Sequence, residues 1–172
     1  MSNWCNVRLV VAGTKAALAT FSRQTRSRRF QIFTDDMLYG ETVKLNSQRM
    51  VRVLNRWFHK RYYFQVCADE GFSHFRMISK KYPNLFFLVT YGDPNSGDAG
   101  SAYIHCGHIK KKFIFSGDEF EDFLIKNGLP MKKGRPDFDH PNYEENYWEA
   151  FWAAEKCAES ELLPLIAKPP SK

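Results

Sequence analysis

A chain of 172 residues with 44% hydrophobic content is long enough for one sizeable core. Its 15 Phe, 8 Tyr and 4 Trp exclude disorder over most of its length, since each buried aromatic removes a large apolar area from water. No run approaches the roughly 20 apolar residues of a membrane span. Residues 1–86 carry 15 Lys and Arg against 5 Asp and Glu, a balance of +10, and residues 87–172 carry 10 against 14, a balance of −4. A basic first half suits an anionic partner; equally, the two halves can neutralise each other inside one fold.

In chain order, Asn3 to Ala12 reads as a buried strand through Trp4, Val7, Leu9, Val10 and Val11. Asn6 and Arg8 interrupt this stretch and no basic leader precedes it, so it is not read as a signal peptide and the expected compartment is the cytoplasm. Gly13-Thr14 marks a turn, and Thr14 is placed to cap a helix from Lys15 to about Arg28. Phe30 to Leu45 is irregular, with a short strand at Thr42–Leu45. Ser47 to His59 is predicted helical, because Met50, Leu54 and Trp57 recur at i, i+4 and i+7. Tyr62–Cys67 is a strand. Phe72, Phe75, Ile78 and Tyr82 then mark a helix ending at Pro83, and Asn84–Tyr91 is an apolar run of central-strand length.

Gly92–Gly100 is a polar turn. It lacks the acidic order of a calcium loop and the Gly-Lys-Ser/Thr ending of a phosphate loop. Two strands, Ser101–Ile109 and Lys112–Phe115, are expected to join around Lys110-Lys111. Ser116 to Glu119 has capping-box spacing before a helix with Phe120, Phe123 and Leu124, stopped by Gly128. Leu129–Pro141 is a linker. Residues from about 142 to 163 form a long helix with Tyr147, Trp148, Phe151 and Trp152 on one side, and residues 164–172 a tail. The whole of 1–163 reads as one α+β domain, with 31–60 as an inserted segment, in which helices cover one face of a small, mainly antiparallel sheet.

Asn3-Trp4-Cys5, then Arg8-Leu9 and Gly13, resembles the opening of the YubB-type family of plasmid- and phage-borne proteins. The block from Phe72 to Gly107, with Tyr82-Pro83-Asn84-Leu85 and Tyr91-Gly92, resembles that family's central segment. The likeness covers about half of the chain and leaves out the C-terminal helix. Val7 stands where the family has Asn, and the family's Trp- and Gly-containing segment is not visible in Gln31–Lys60. The resemblance implies a ferredoxin-like sheet and carriage on a mobile element, and it implies no activity.

Candidate chemistry is sparse. His105-Cys106-Gly107-His108 supplies two imidazoles and a thiol, but side chains alternate along a strand, so His105 and His108 diverge unless the strand ends at Gly107. A zinc site would also need donors such as His74, Asp93 or Asp98. No metal or cofactor is expected. Asp69-Glu70 reads as carboxylates favouring a helix N-terminus. Cys5, Cys67, Cys106 and Cys157 lack ligand spacing and read as free thiols.

The basic signal is richer. On a helix, Arg49, Arg52, Arg56 and Lys60 would form one stripe, and Arg23, Arg26 and Arg29 a second. Guanidinium groups suit phosphate and carboxylate through paired donors. The alternative is a solvated face, or pairing with Glu145, Glu149, Glu155 and Glu159 of the terminal helix. The expectation is a non-enzymatic binding protein of a mobile element, docking to a host or element protein or protein–nucleic-acid complex, such as a component of a defence system. Nucleic-acid binding through the Arg stripes is the second reading, and a metal-dependent enzyme centred on His105 and His108 the third.

Overall fold

The computed structural model describes residues 4–25, 46–47, 49–54, 56–67, 72–94 and 96–168. The elements in order are β1 (Trp4–Gly13), α1 (Lys15–Thr25), β2 (Asn46–Ser47), β3 (Val51–Leu54), β4 (Trp57–Cys67), α2 (Phe72–Lys81), β5 (Phe86–Asp93), β6 (Asp98–His105), β7 (His108–Phe115), α3 (Asp118–Lys126), β8 (Met131–Lys132), β9 (Arg135–Pro136) and α4 (Tyr143–Ile166). Among the described residues, β1 to β7 make one sheet in which β4, β1, β5, β6 and β7 lie side by side, and β2 and β3 share the outer edge of β4. Every neighbouring pair is antiparallel.

The chain runs β1–α1–β3–β4–α2–β5, and those strands lie in the order β3-β4-β1-β5, which is the ferredoxin-like order. β6 and β7 extend it beyond β5 as a meander. The α+β class and the long C-terminal helix are as expected from sequence. Tyr62–Cys67 is strand as expected, within the longer β4, but the structure of residues 51–59 is not as expected. The helix predicted over Ser47–His59 is an antiparallel hairpin, with Val51 opposite His59 and Arg52 opposite Phe58. Alternating β-branched and aromatic residues from Val51 to Val66 favour strands, and Arg56, at a φ of 61°, makes the turn between them. Thr42–Leu45 lies outside the described residues.

β1 explains why both sheet faces are covered. Cys5, Val7, Leu9 and Val11 point to one side, where Leu18 and Phe21 of α1 and Phe72, Phe75 and Ile78 of α2 pack. Val10 and Ala12 point to the other side, beneath Leu162 and Ile166 of α4. Phe21 meets Tyr82, Phe87 and Tyr62 edge-on at 5.0, 5.6 and 5.9 Å. Leu9, Phe75, Leu85, Phe87 and Leu88 are all buried, as their strand and helix periods require; the side chain of Trp4 lies outside the described set. Thr14 caps α1 as its sequence position suggests, its Oγ1 accepting from the Ala17 N–H at 3.3 Å.

α4 buries Ala150, Ala154 and Ala158 along with Phe151, so it lies close on the sheet. Gly92 of β5 makes that approach possible. A Cβ there would meet Glu155 Oε1 at 2.3 Å and Phe151 Cζ at 2.7 Å. The aromatic side expected for α4 is only partly correct, because Trp152 is 46% exposed while the small Ala stripe is buried. α4 also runs on to Ile166, past the expected end at 163, and there the Trp57 indole N–H donates to the Ile166 carbonyl at 2.9 Å.

The expected turn at Lys110-Lys111 lies instead at Cys106-Gly107, with φ of 50° and 80°, the left-handed pair of a two-residue hairpin. The three lysines 110–112 stand exposed on β7, a sheet edge. α3 starts on Gly117, whose carbonyl accepts from Phe120 and Glu121, so the capping box read at Ser116–Glu119 does not form. Among the described residues, no helix is long and apolar enough to cross a membrane.

Candidate functional site

The seven basic residues singled out by spacing do not share one helical surface. Arg49, Arg52 and Arg56 are exposed along the β3 edge and its turn to β4. Arg23 is exposed in the last turn of α1. Lys60 is buried, 6% exposed. Its ammonium donates to Ser22 Oγ at 2.6 Å and lies 5.3 Å from the centre of the Tyr62 ring. Lys60 therefore ties β4 to α1 and does not belong to a solvent-facing set. That tie sets the last turn of α1, which carries Arg23, against β4. Arg26 and Arg29 lie outside the described residues. What remains is a margin of four exposed arginines, Arg23 in the last turn of α1 and Arg49, Arg52 and Arg56 along β3 and its turn to β4.

The acidic helix does pair internally, with arginines that the stripe reading did not centre on. Arg8 reaches Glu155 at 2.5 Å and Glu159 at 3.9 Å, and Arg61 reaches Glu159 at 2.8 Å. Arg8 and Arg61 stand on neighbouring strands, and Glu155 and Glu159 are one helical turn apart, so four charges interlock between sheet and α4. Burial pushes the Glu155 carboxyl up to about 7, although Arg8 and the Asn6 amide pull the other way. Glu155 Oε1 has no hydrogen-bond partner among the described residues and rests against Gly92. The sequence did carry a signal for this network. Asn6 and Arg8 sit at period two on a strand that is otherwise apolar, and a polar pair inside a buried strand demands partners.

The His-Cys-Gly-His segment is a hairpin turn. His105 and His108 are directly paired residues flanking it, so they do not diverge as strict strand alternation would have them. None of Asp93, Asp98 and His74 joins them. The His105 Nε2 sits 2.9 Å from the Pro83 carbonyl oxygen and 3.4 Å from Cys106 Sγ, and its ring stacks on Phe86 at 4.1 Å. Asp93 and Asp98 pair at the opposite end of β5 and β6, seven residues along the strand, which is about 23 Å at ~3.3 Å per residue. His74 is buried in α2 against Phe75. Among the described residues, no three His, Cys, Asp or Glu side chains cluster to hold a metal ion. The turn expected over Gly92–Gly100 is confined between Asp93 and Asp98, closed by the Gly97 N–H on the Asp93 carbonyl, and the flanking residues are paired in β5 and β6. Asp69-Glu70 lies outside the described residues.

A feature that sequence reading did not find lies at the His105 end of the sheet. A cavity of about 780 Å³ opens between the first turns of α1 and the α2–β5 connection. Trp57 and Phe86 form its buried floor, and Thr14, Thr20, Lys81 and Asn84 its exposed rim. Phe86 has Trp57 on one side at 5.4 Å and His105 parallel to it at 9° on the other. No sequence signal announces it, because its lining comes from seven elements and connections that only the fold brings together. Gly13 supports it: a Cβ there would meet Leu85 Cδ2 at 2.6 Å and displace the chain that carries Asn84. Compared with known proteins, the chain matches no family model, no curated protein and no solved structure.

Proposed function

We propose that the chain is a non-enzymatic binding protein that docks on an anionic surface of a macromolecule through the margin of Arg23, Arg49, Arg52 and Arg56. One observation carries this reading, the division of charge. Glu155 and Glu159 of the acidic helix are engaged by Arg8 and Arg61, while Arg23, Arg49 and Arg56 stay exposed and make no ion pair among the described residues. Exposed arginines held on a strand edge and an adjoining helix end present forked donors to carboxylate or phosphate at little cost in conformational entropy. The groups that could carry catalysis are apart or otherwise engaged, with His105 against Pro83 and Asp98 at the far end of its strand.

The ferredoxin-like strand order supports the resemblance to the YubB-type proteins, and carriage on a mobile element with a host or defence-system partner is part of this proposal. The test is affinity capture from host lysate with and without nuclease, followed by the Arg49→Glu, Arg56→Glu double variant. A bound partner that survives nuclease and is lost with the double variant is the expected result. Nuclease-sensitive capture that weakens steeply with salt would replace it with the nucleic-acid reading. Capture unchanged by the double variant would remove the margin from the interface.

A further inference from the structure

We propose that the cavity at the His105 end of the sheet binds a nucleoside monophosphate unit. Its volume of about 780 Å³ lies within the range of small-molecule sites, roughly 300–1,000 Å³. Its two halves ask for different chemistry. The floor is a row of aromatic rings, Phe86 and His105 parallel at 4.1 Å and Trp57 tilted by 55° on the other side of Phe86. A row of that kind is completed by another planar ring, and a nucleobase stacks on such surfaces whatever its identity. The rim is hydroxyl, amide and cation. Thr14, which caps α1, lines the opening with Thr20, Lys81 and Asn84, and among the described residues no carboxylate lines the cavity.

Among the described residues that line the cavity, Lys81 is the one lysine or arginine, and it supplies positive charge at the mouth. A ligand with a flat ring at one end and an anion at the other satisfies both halves at once; neither a hydrocarbon nor a bare anion does. The shared chemistry is that of a nucleotide, whether free or at the end of a strand. The site uses none of Arg23, Arg49, Arg52 or Arg56, so it goes beyond the docking margin and stands or falls separately.

The test is calorimetric titration of the full chain with adenosine 5′-monophosphate, and with adenosine and inorganic phosphate as its two halves. The expected result is saturable binding of the monophosphate with a Kd below about 1 mM, and at least about tenfold weaker binding of either half. Lys81→Ala, at an exposed position, should weaken the monophosphate about tenfold and leave adenosine unchanged. Ala16→Trp, also exposed and lining the mouth, should abolish both. Displacement of the monophosphate by a 5′-phosphorylated hexanucleotide assigns the site to a strand end, and failure to displace assigns it to a free nucleotide. Absence of saturable binding up to about 10 mM, some tenfold above the expected ceiling, would overturn the proposal. So would binding that both substitutions leave unaltered in variants whose thermal unfolding matches the parent.

Discussion

Glu155 shows what burial does to a single carboxyl. In the folded chain it keeps its proton up to about 7, whereas in the unfolded chain it ionises near 4.5. Between those values the folded state binds more protons, so this residue's contribution to stability falls as pH rises from about 4.5 to 7 and is level above that. The full span is at most about 3–4 kcal/mol at ~1.4 kcal/mol per unit. His59, lowered by its burial and by Arg61, acts the other way, its stability contribution rising with pH as the range below 6.5 is crossed. Denaturant titrations of the parent and Glu155→Gln across pH 4–8 separate the two. The difference in unfolding free energy should shift in favour of the Gln variant as pH rises through the window; a difference independent of pH would show that Arg8 keeps Glu155 ionised throughout. Gly92 is as particular. Gly92→Ala pushes a methyl into Glu155 and Phe151 and should destabilise by about 1–3 kcal/mol, the cost of overpacking, measured by chemical unfolding. Phe87, fully buried beside Phe21, should cost about 3–5 kcal/mol as Phe87→Ala.

At the scale of elements, the β3–β4 hairpin carries the most revealing contrast. Arg49→Glu and Arg56→Glu change exposed edge positions and should each cost no more than about 0.5 kcal/mol. Lys60→Glu, four residues from Arg56, places a carboxylate at a buried position against Ser22 and Tyr62 and should cost several times as much. Equal thermal shifts for the two positions would show that Lys60 is not buried. Strand β5 and helix α2 were legible in the sequence, because a run apolar on both faces and a three-residue repeat of Phe72, Phe75 and Ile78 each fit one structure only. The hairpin was not, since Met50, Leu54 and Trp57 also satisfy a helical period and a single residue at positive φ, Arg56, decides against it. The turn at Cys106-Gly107 escaped for the same reason, with a non-glycine residue in the left-handed region where two adjacent lysines looked more turn-like. The arginines of the candidate margin could be read as types but not placed, and the cavity could not be read at all.

At the scale of the molecule, α1 and α2 close one sheet face and α4 the other. The second closure depends on groups distant in sequence: Arg8 with Glu155, and Trp57 with the Ile166 carbonyl. A chain cut after Asn142 would leave Val10, Leu88 and Phe86 open to water. Such a chain should bind a hydrophobic dye and sediment as aggregates, whereas monomeric behaviour would mean that β1 to β7 need no cover.

The same closure sets a clock on synthesis. Arg8 and Glu155 are 147 residues apart, and a ribosome adding about 5–20 residues per second needs on the order of ten seconds to go from one to the other. For that interval the nascent β1 has its α1 side within reach of a partner helix and its other side with none. Factors that shield apolar surface on emerging chains would find their target there, and slow translation near the 3′ end of the message would lengthen the exposure.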